Sequence, residues 1–182
     1  QDHPKLELQT VACASAIIDR YGKVVEHIRS DGFRVDEEVF MLVEGENPLT
    51  MAQSTGLGLM ALPPVFDRLK PDVVVTVGDR YETMATTIAA AYMNIPVAHT
   101  MGGEVSGTID ESIRHAVTKF AHIHFPASKD AEERIIRLGE PKELVFNLGG
   151  PRMDLVKEII DTMPPIKSTD LFKDGVGANN ID

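Results

Sequence analysis

The residues best equipped for proton chemistry in this sequence are acidic side chains set beside glycines. They fall in three short segments: Gly78-Asp79-Arg80, His99-Thr-Met-Gly-Gly-Glu104 running on to His115, and Gly149-Gly-Pro-Arg152. A carboxylate in a partly dry crevice can take up or release a proton, and a nearby arginine tunes it or clamps an anion. The Gly102-Gly103 pair lets the backbone come close to a ligand or adopt positive φ, and it aims Glu104 outward. Each candidate also has a structural alternative. Asp79 is a good N-cap for a helix starting near Glu82, Arg80 is equally a solvated surface charge, and two glycines can simply make a turn. Thr108 and Glu111 match the Thr-x-x-Glu capping box, which favours a structural Glu111, while Asp110 in the first helical turn gains from the helix dipole in any case.

Other chemistries find less support. His99, Glu104, Asp110 and His115 have ligand-type side chains, but no His-x3-His or Glu-x-x-His pair puts two of them on one helix face, so no metal is expected. His122 and His124 alternate along an expected strand and read as structural. Cys13 lies in the small apolar stretch Val11-Ala12-Cys13-Ala14, which favours packing over nucleophilic work. The sequence has neither a Gly-x-x-x-x-Gly-Lys-Ser/Thr loop nor a Gly-x-Ser-x-Gly elbow, which removes P-loop NTPases and α/β-hydrolases.

Positioning such loops requires strands and helices in alternation. Pro71 to Val77 is a β-branched run without polar alternation and reads as a central parallel strand. Glu82 to Met93 follows with Met84, Ile88, Ala91 and Tyr92 at helical spacing, stopped at Asn94, and Ile95 to His99 is the next strand. This is a right-handed βαβ unit. The pattern continues with a helix over Thr108 to Ala121 (buried stripe Ile109, Ile113, Ala116, Val117 and Phe120), a strand over His122 to Pro126, and a helix over Asp130 to Leu138 closed by Gly139. A strand over Glu143 to Leu148 and a helix over Met153 to Met163 complete it. Upstream, Glu7 to Ala12 reads as a strand, Asp19 to Ser30 contains a helix, and Asn47 to Leu69 holds a longer helix interrupted by Gly56 and Gly58. The expectation is an α/β fold built on a doubly wound, Rossmann-like parallel sheet. In such sheets ligands sit at the C-terminal strand ends, where these loops fall.

A chain of 182 residues with 43% apolar content suits one ordinary domain with a real core. The formal net charge of −10 is spread along the sequence, which disfavours nucleic acid or an anionic membrane as partner. The single cysteine, the lack of a leader and the lack of a long apolar run lead to the expectation of a cytoplasmic protein. Residues 1–163 are expected to form one lobe, and the Pro-, Gly-, Asn- and Asp-rich 164–182 a linker toward a second lobe absent from the chain.

Three segments together carry a family resemblance: Gly78-Asp-Arg-Tyr-Glu-Thr-Met-Ala, Asn94-Ile-Pro-Val-Ala-His, and Gly102-Gly-Glu-Val-Ser-Gly-Thr-Ile-Asp-Glu-Ser-Ile-Arg-His-Ala-Val-Thr-Lys. The sequence resembles the hydrolysing UDP-N-acetylglucosamine 2-epimerases of sialic-acid pathways over nearly its whole length. The resemblance implies one lobe of a two-lobed fold like that of GT-B glycosyltransferases. It also implies elimination of UDP from UDP-N-acetylglucosamine to a glycal, then hydration to N-acetylmannosamine, without a cofactor and in a homo-oligomer. It points to Asp79 and Glu104 as acid/base residues, Asp110 as a third, and Arg80, Gly102, Gly103, Glu111, Arg114 and His115 as substrate-binding or supporting residues. The chain departs from the family pattern in lacking a first strand with its Gly-Thr/Ser-Arg loop. The alternatives are a non-hydrolysing epimerase, disfavoured because its loop reads Glu-Ala-Gly-Leu-Arg where this chain has Met101-Gly-Gly-Glu-Val, and a non-catalytic nucleotide-sugar-binding lobe.

Overall fold

Two short parallel sheets share one apolar core in the computed structural model, which describes residues 3–162. The expected linker at 164–182, like Met163, lies outside the described residues. β1 (Val11–Cys13) pairs with β2 (Glu37–Val39), while β3 (Val74–Val77), β4 (Val97–Thr100) and β5 (Ile123–Phe125) form the second sheet in that order. Parallel neighbours must be joined by crossovers. α3 (Tyr81–Tyr92) links β3 to β4 and α4 (Ile109–Phe120) links β4 to β5. The remaining helices are α1 (Val24–Ser30), α2 (Pro48–Leu69), α5 (Lys129–Arg137) and α6 (Pro151–Thr162). The chain divides into two compact units, 1–148 and 149–182, and α6 is the described element of the second. Among the described residues no helix is long and apolar enough to cross a membrane.

The core joins Val39 and Met41 of the first sheet's side to Leu62 and Phe66 of α2, Ala85 and Ala89 of α3, and Val74 and Val97 of the second sheet. α2 is a single helix, not the interrupted one expected. Asn47 caps it through the Thr50 amide, with Pro48 in the first turn where an amide proton is not needed. Gly58 is a contact point within it. A Cβ there would stand 2.4 Å from Met41 Cε and 2.8 Å from the Cβ of Ala85. The glycine therefore lets α2 approach α3 closely, which outweighs its poor helix propensity.

Three other expectations are corrected. β4, not β3, is the middle strand of its sheet, and Val75 and Val77 are each 63% exposed. The β-branched run of β3 therefore buries only one face. Glu143 to Leu148 is not a strand: Lys142–Leu144 forms a short 3-10 turn, and a single bridge joins Val145 to His124. At the start of the chain, pairing begins only at Val11, because Leu6 and Leu8 remain exposed and the Thr10 amide donates to the Asp36 side chain.

Register sets up the site. Val77 lies opposite Thr100, and Thr100 opposite Phe125, so three strands end level with one another. Hydrogen bonds from Gly78 N to Thr100 O and from Met101 N to Phe125 O carry the ladder one step into the loops. The loops after β3, β4 and β5 thus leave from one edge.

Candidate active site

Asp79 and Glu104 lie on adjacent loops of that edge, and one side chain ties them together. Arg114 of α4, only 8% exposed, donates from Nη1 to the Glu104 carbonyl at 2.6 Å and forms a close ion pair through Nη2 with Asp79 Oδ2. Burial pulls the Arg114 guanidinium below its usual range. The planar fork lets one residue serve two acceptors on different loops. The expected apolar stripe of α4 is therefore rotated. Ile109 is 61% exposed, and the buried positions are Arg114, Val117 and Thr118, because the helix turns its cation toward the carboxylate.

The N-cap alternative for Asp79 is overturned. α3 begins at Tyr81, with Arg80 and not Asp79 at its N-cap and no side-chain cap hydrogen bond, while Asp79 turns to Arg114. Arg80 is half exposed. It pairs with Glu82 (Nε to Oε1, 3.1 Å) and lies over the Tyr81 ring. Together with Tyr21, Glu46, Asn47 and Thr50, Arg80 and Tyr81, which follow Asp79 in the chain, line a hollow of about 340 Å³. A second hollow, between Phe66, Lys70 and Ile95, lies at the opposite strand ends.

Packing explains both glycines. A Cβ on Gly102 would stand 2.9 Å from His99 Nδ1, and one on Gly103, where φ is +79°, would stand 2.4 Å from the Ala131 carbonyl oxygen of α5. The space beside both residues is filled by protein. Arg134 of α5 also donates to the Gly103 carbonyl. His99 is fully buried in β4, and its Nε2 donates to the Gly78 carbonyl at 2.7 Å, anchoring the residue before Asp79. Burial pulls the imidazole down to about 4, so it is neutral near neutral pH.

Glu111 makes local backbone contacts, though not through the expected box. Its Oε2 accepts from the amides of Ser106 and Gly107, each at 2.8 Å, whereas Thr108 makes no side-chain cap. Those two bonds hold its carboxyl below the usual range. Asp110 is half buried at the start of α4, close enough to Glu82 to help raise its carboxyl. Burial is the larger cause of that rise, and Glu82 Oε2 is buried without a partner. His115 is half buried, with Nδ1 likewise unpartnered. His124 is buried 3.3 Å from the Glu140 carboxylate, in keeping with a structural role, and burial pushes the Cys13 thiol up to about 11, far from a nucleophile's range. Among the described residues no three His, Cys, Asp or Glu side chains converge as metal ligands.

Residues 1–176 match the family model described as UDP-N-acetylglucosamine 2-epimerase. The chain belongs to that epimerase family. A UDP-N,N'-diacetylbacillosamine 2-epimerase (hydrolyzing) of Legionella pneumophila is 40% identical over 138 residues, covering 76% of this chain and 37% of the relative. A GDP/UDP-N,N'-diacetylbacillosamine 2-epimerase (hydrolyzing) of Campylobacter jejuni is 33% identical over 174 residues, covering 95% of this chain and 44% of the relative. The chain thus spans less than half the length of these epimerases. The crystal structure of the Neisseria meningitidis UDP-GlcNAc 2-epimerase bound to UDP-GlcNAc superimposes with a TM-score of 0.74 at 19% identity, over 87% of this chain and 43% of that one, a likeness of fold.

Within this member of the epimerase family, four side chains at the site escaped sequence reasoning in these roles: Glu82, His99 as an anchor, Ser128 and Arg134. Ser128 Oγ lies 3.0 Å from Glu104 Oε1 and accepts from the Ala131 amide at the head of α5. A Ser directly before a helical run was a visible cap signal. Its reach to Glu104 was not visible, since 24 residues separate them.

Proposed function

We propose that this lobe supplies the acid/base carboxylates of a hydrolysing UDP-N-acetylglucosamine 2-epimerase. The observation that carries the reading is the Arg114 bridge, which binds the Asp79 carboxylate and the Glu104 backbone on loops leaving level strand ends. In the reaction a base removes the C2 proton of the sugar as the C1–O bond breaks and UDP departs with its electrons, leaving a 2-acetamidoglucal. Water then adds across C1 and C2, hydroxyl to C1 and a proton to C2 on the opposite face, giving N-acetylmannosamine.

Glu104 is assigned as the base of the two, because its carboxylate meets a neutral hydroxyl whereas the Asp79 carboxylate is occupied by a guanidinium. Asp79 and Asp110 are left to face the positive charge that develops at C1. Arg80, beside the hollow and half exposed, is suited to a diphosphate oxygen. The Glu104 loop itself favours the hydrolysing branch, because Gly102-Gly103-Glu104 stands where the non-hydrolysing pattern has Ala-Gly-Leu.

The Legionella and Campylobacter relatives favour a second reading of the sugar, with UDP-N,N'-diacetylbacillosamine in place of UDP-N-acetylglucosamine. One experiment tests both. Each nucleotide sugar is incubated with the protein in deuterated water and the products are followed by NMR. Free 2-epimerised sugar carrying deuterium at C2, together with UDP, is the expected result, and the larger kcat/KM identifies the sugar. An epimer still attached to UDP would contradict the hydrolysing assignment.

A further inference from the structure

Glu82 occupies a costly place for an acid. It stands in the first turn of α3, its side chain is 20% exposed, and its Oε2 is buried without a hydrogen-bond partner. A buried polar atom left unpaired costs stability, and a helix N-terminus is served as well by an acid that faces water. What the buried position adds is a contact. Oε1 lies 3.1 Å from Nε of Arg80, the only ion pair that Arg80 makes among the described residues. The charge of Arg80 in turn helps to hold down a carboxyl that burial raises.

The arginine is thereby held at two points. Its Nε meets Glu82, and its guanidinium carbon lies 5.7 Å from the centre of the Tyr81 ring, which is itself buried. With Nε engaged, the terminal nitrogens of the fork remain for an anion in the hollow that Arg80 and Tyr81 line. The one carboxylate lining that hollow, Glu46, is already paired with Arg20 and accepts from the Tyr21 hydroxyl. We infer that Glu82 is a positioning residue that sets the Arg80 fork toward the diphosphate of the nucleotide sugar, an inference that rests on reading Arg80 as the diphosphate contact. A loose arginine loses torsional freedom when it grips a phosphate, and one fixed beforehand binds without that loss.

Binding of UDP to the full chain, followed by calorimetry with the unfolding midpoint measured beside it, isolates this role, because neither the sugar nor the choice of base enters. Glu82→Asp keeps an acid at the head of α3 but is one methylene too short to reach Nε. Glu82→Gln keeps an oxygen at that reach and gives up the charge. Glu82→Ala keeps neither, suits a helix, and serves as a second probe where the shorter acid disturbs packing. UDP affinity should fall about threefold to tenfold in Glu82→Asp and Glu82→Ala, and should return to within about twofold of the parent in Glu82→Gln. An acid that served the helix alone would leave UDP binding the same in all three, and its loss would show in the unfolding midpoint instead.

A double-mutant cycle ties the effect to the arginine. Arg80→Ala should weaken UDP binding by about tenfold or more, and adding Glu82→Ala should cost nothing further. Parent-like binding by both Glu82→Asp and Glu82→Ala beside a weakened Arg80→Ala would overturn the positioning role alone, as would a loss that adds in full on the Arg80→Ala background. UDP binding unchanged in Arg80→Ala would instead overturn the reading of Arg80, and this inference with it.

Discussion

The two sides of the strand-end edge are built by opposite means. On the Glu104 side the contacts are buried: Arg114, His99, Thr118 and Gly102 all lie inside, and neighbouring atoms leave no room for a Cβ on either glycine. On the hollow's side they are exposed. Arg20 pairs with Glu44 and Glu46, the Tyr21 hydroxyl donates to Glu46 at 2.7 Å, and Arg20 and Glu46 are 48% and 62% exposed. Buried contacts of fixed shape hold a group where reaction geometry demands it, while exposed ion pairs are weak and adjust. In the proposed reaction the first side does the chemistry and the second adapts to the bound nucleotide sugar.

Gly103→Ala should break that comparison most severely. The new Cβ meets the Ala131 carbonyl and the residue is held at positive φ, so a loss of about 3 kcal/mol is expected in denaturant unfolding. Parent-like stability would mean the loop is not clamped.

The next effect is one of pH. His99 titrates near 4 in the folded protein because burial disfavours its charge, against about 6.5 unfolded. As pH falls through 6.5 the unfolded chain takes up a proton that the folded one refuses, so stability present above 6.5 drains away down to about 4. His99 alone accounts for about 2 kcal/mol of that loss at pH 5. His124, lowered by burial, acts in the same direction. Unfolding midpoints measured between pH 7 and 4.5 should fall, and His99→Gln should flatten the slope. A flat profile for the parent would contradict the buried, neutral imidazole.

The smallest effect belongs to the exposed side. Arg20→Ala removes both of its ion pairs and should leave the unfolding midpoint unmoved within error. A clear shift would show that this side is clamped too.

Much of this was legible in the chain itself. Alternating apolar runs and turn residues gave the parallel α/β order, and Gly-Gly-Glu beside Gly-Asp-Arg marked the loops that the register brings level. Periodicity failed where one side chain overrode it. On α4 the apolar residues point to Ile109 and Phe120, yet a buried cation at position 114 rotates the helix toward Asp79. It failed again at Gly58, where a residue read as an interruption is the close contact between α2 and α3. Ser128 and Arg134 were missed because their partners lie 24 and 31 residues away, a distance set by strand register and not by local pattern.

The proposed function requires the carboxylates at this edge to act together, Glu104 on the proton and Asp79 on the charge that develops at C1. Turnover and unfolding should therefore be measured side by side for Asp79→Asn and Glu104→Gln. Turnover should fall by about 10²-fold or more in each; Glu104→Gln should keep the unfolding midpoint of the parent, whereas Asp79→Asn, which leaves the buried Arg114 without its counter-charge, should lower it. Parent-like turnover in either variant, or a Glu104→Gln chain that no longer folds, would contradict the proposed function.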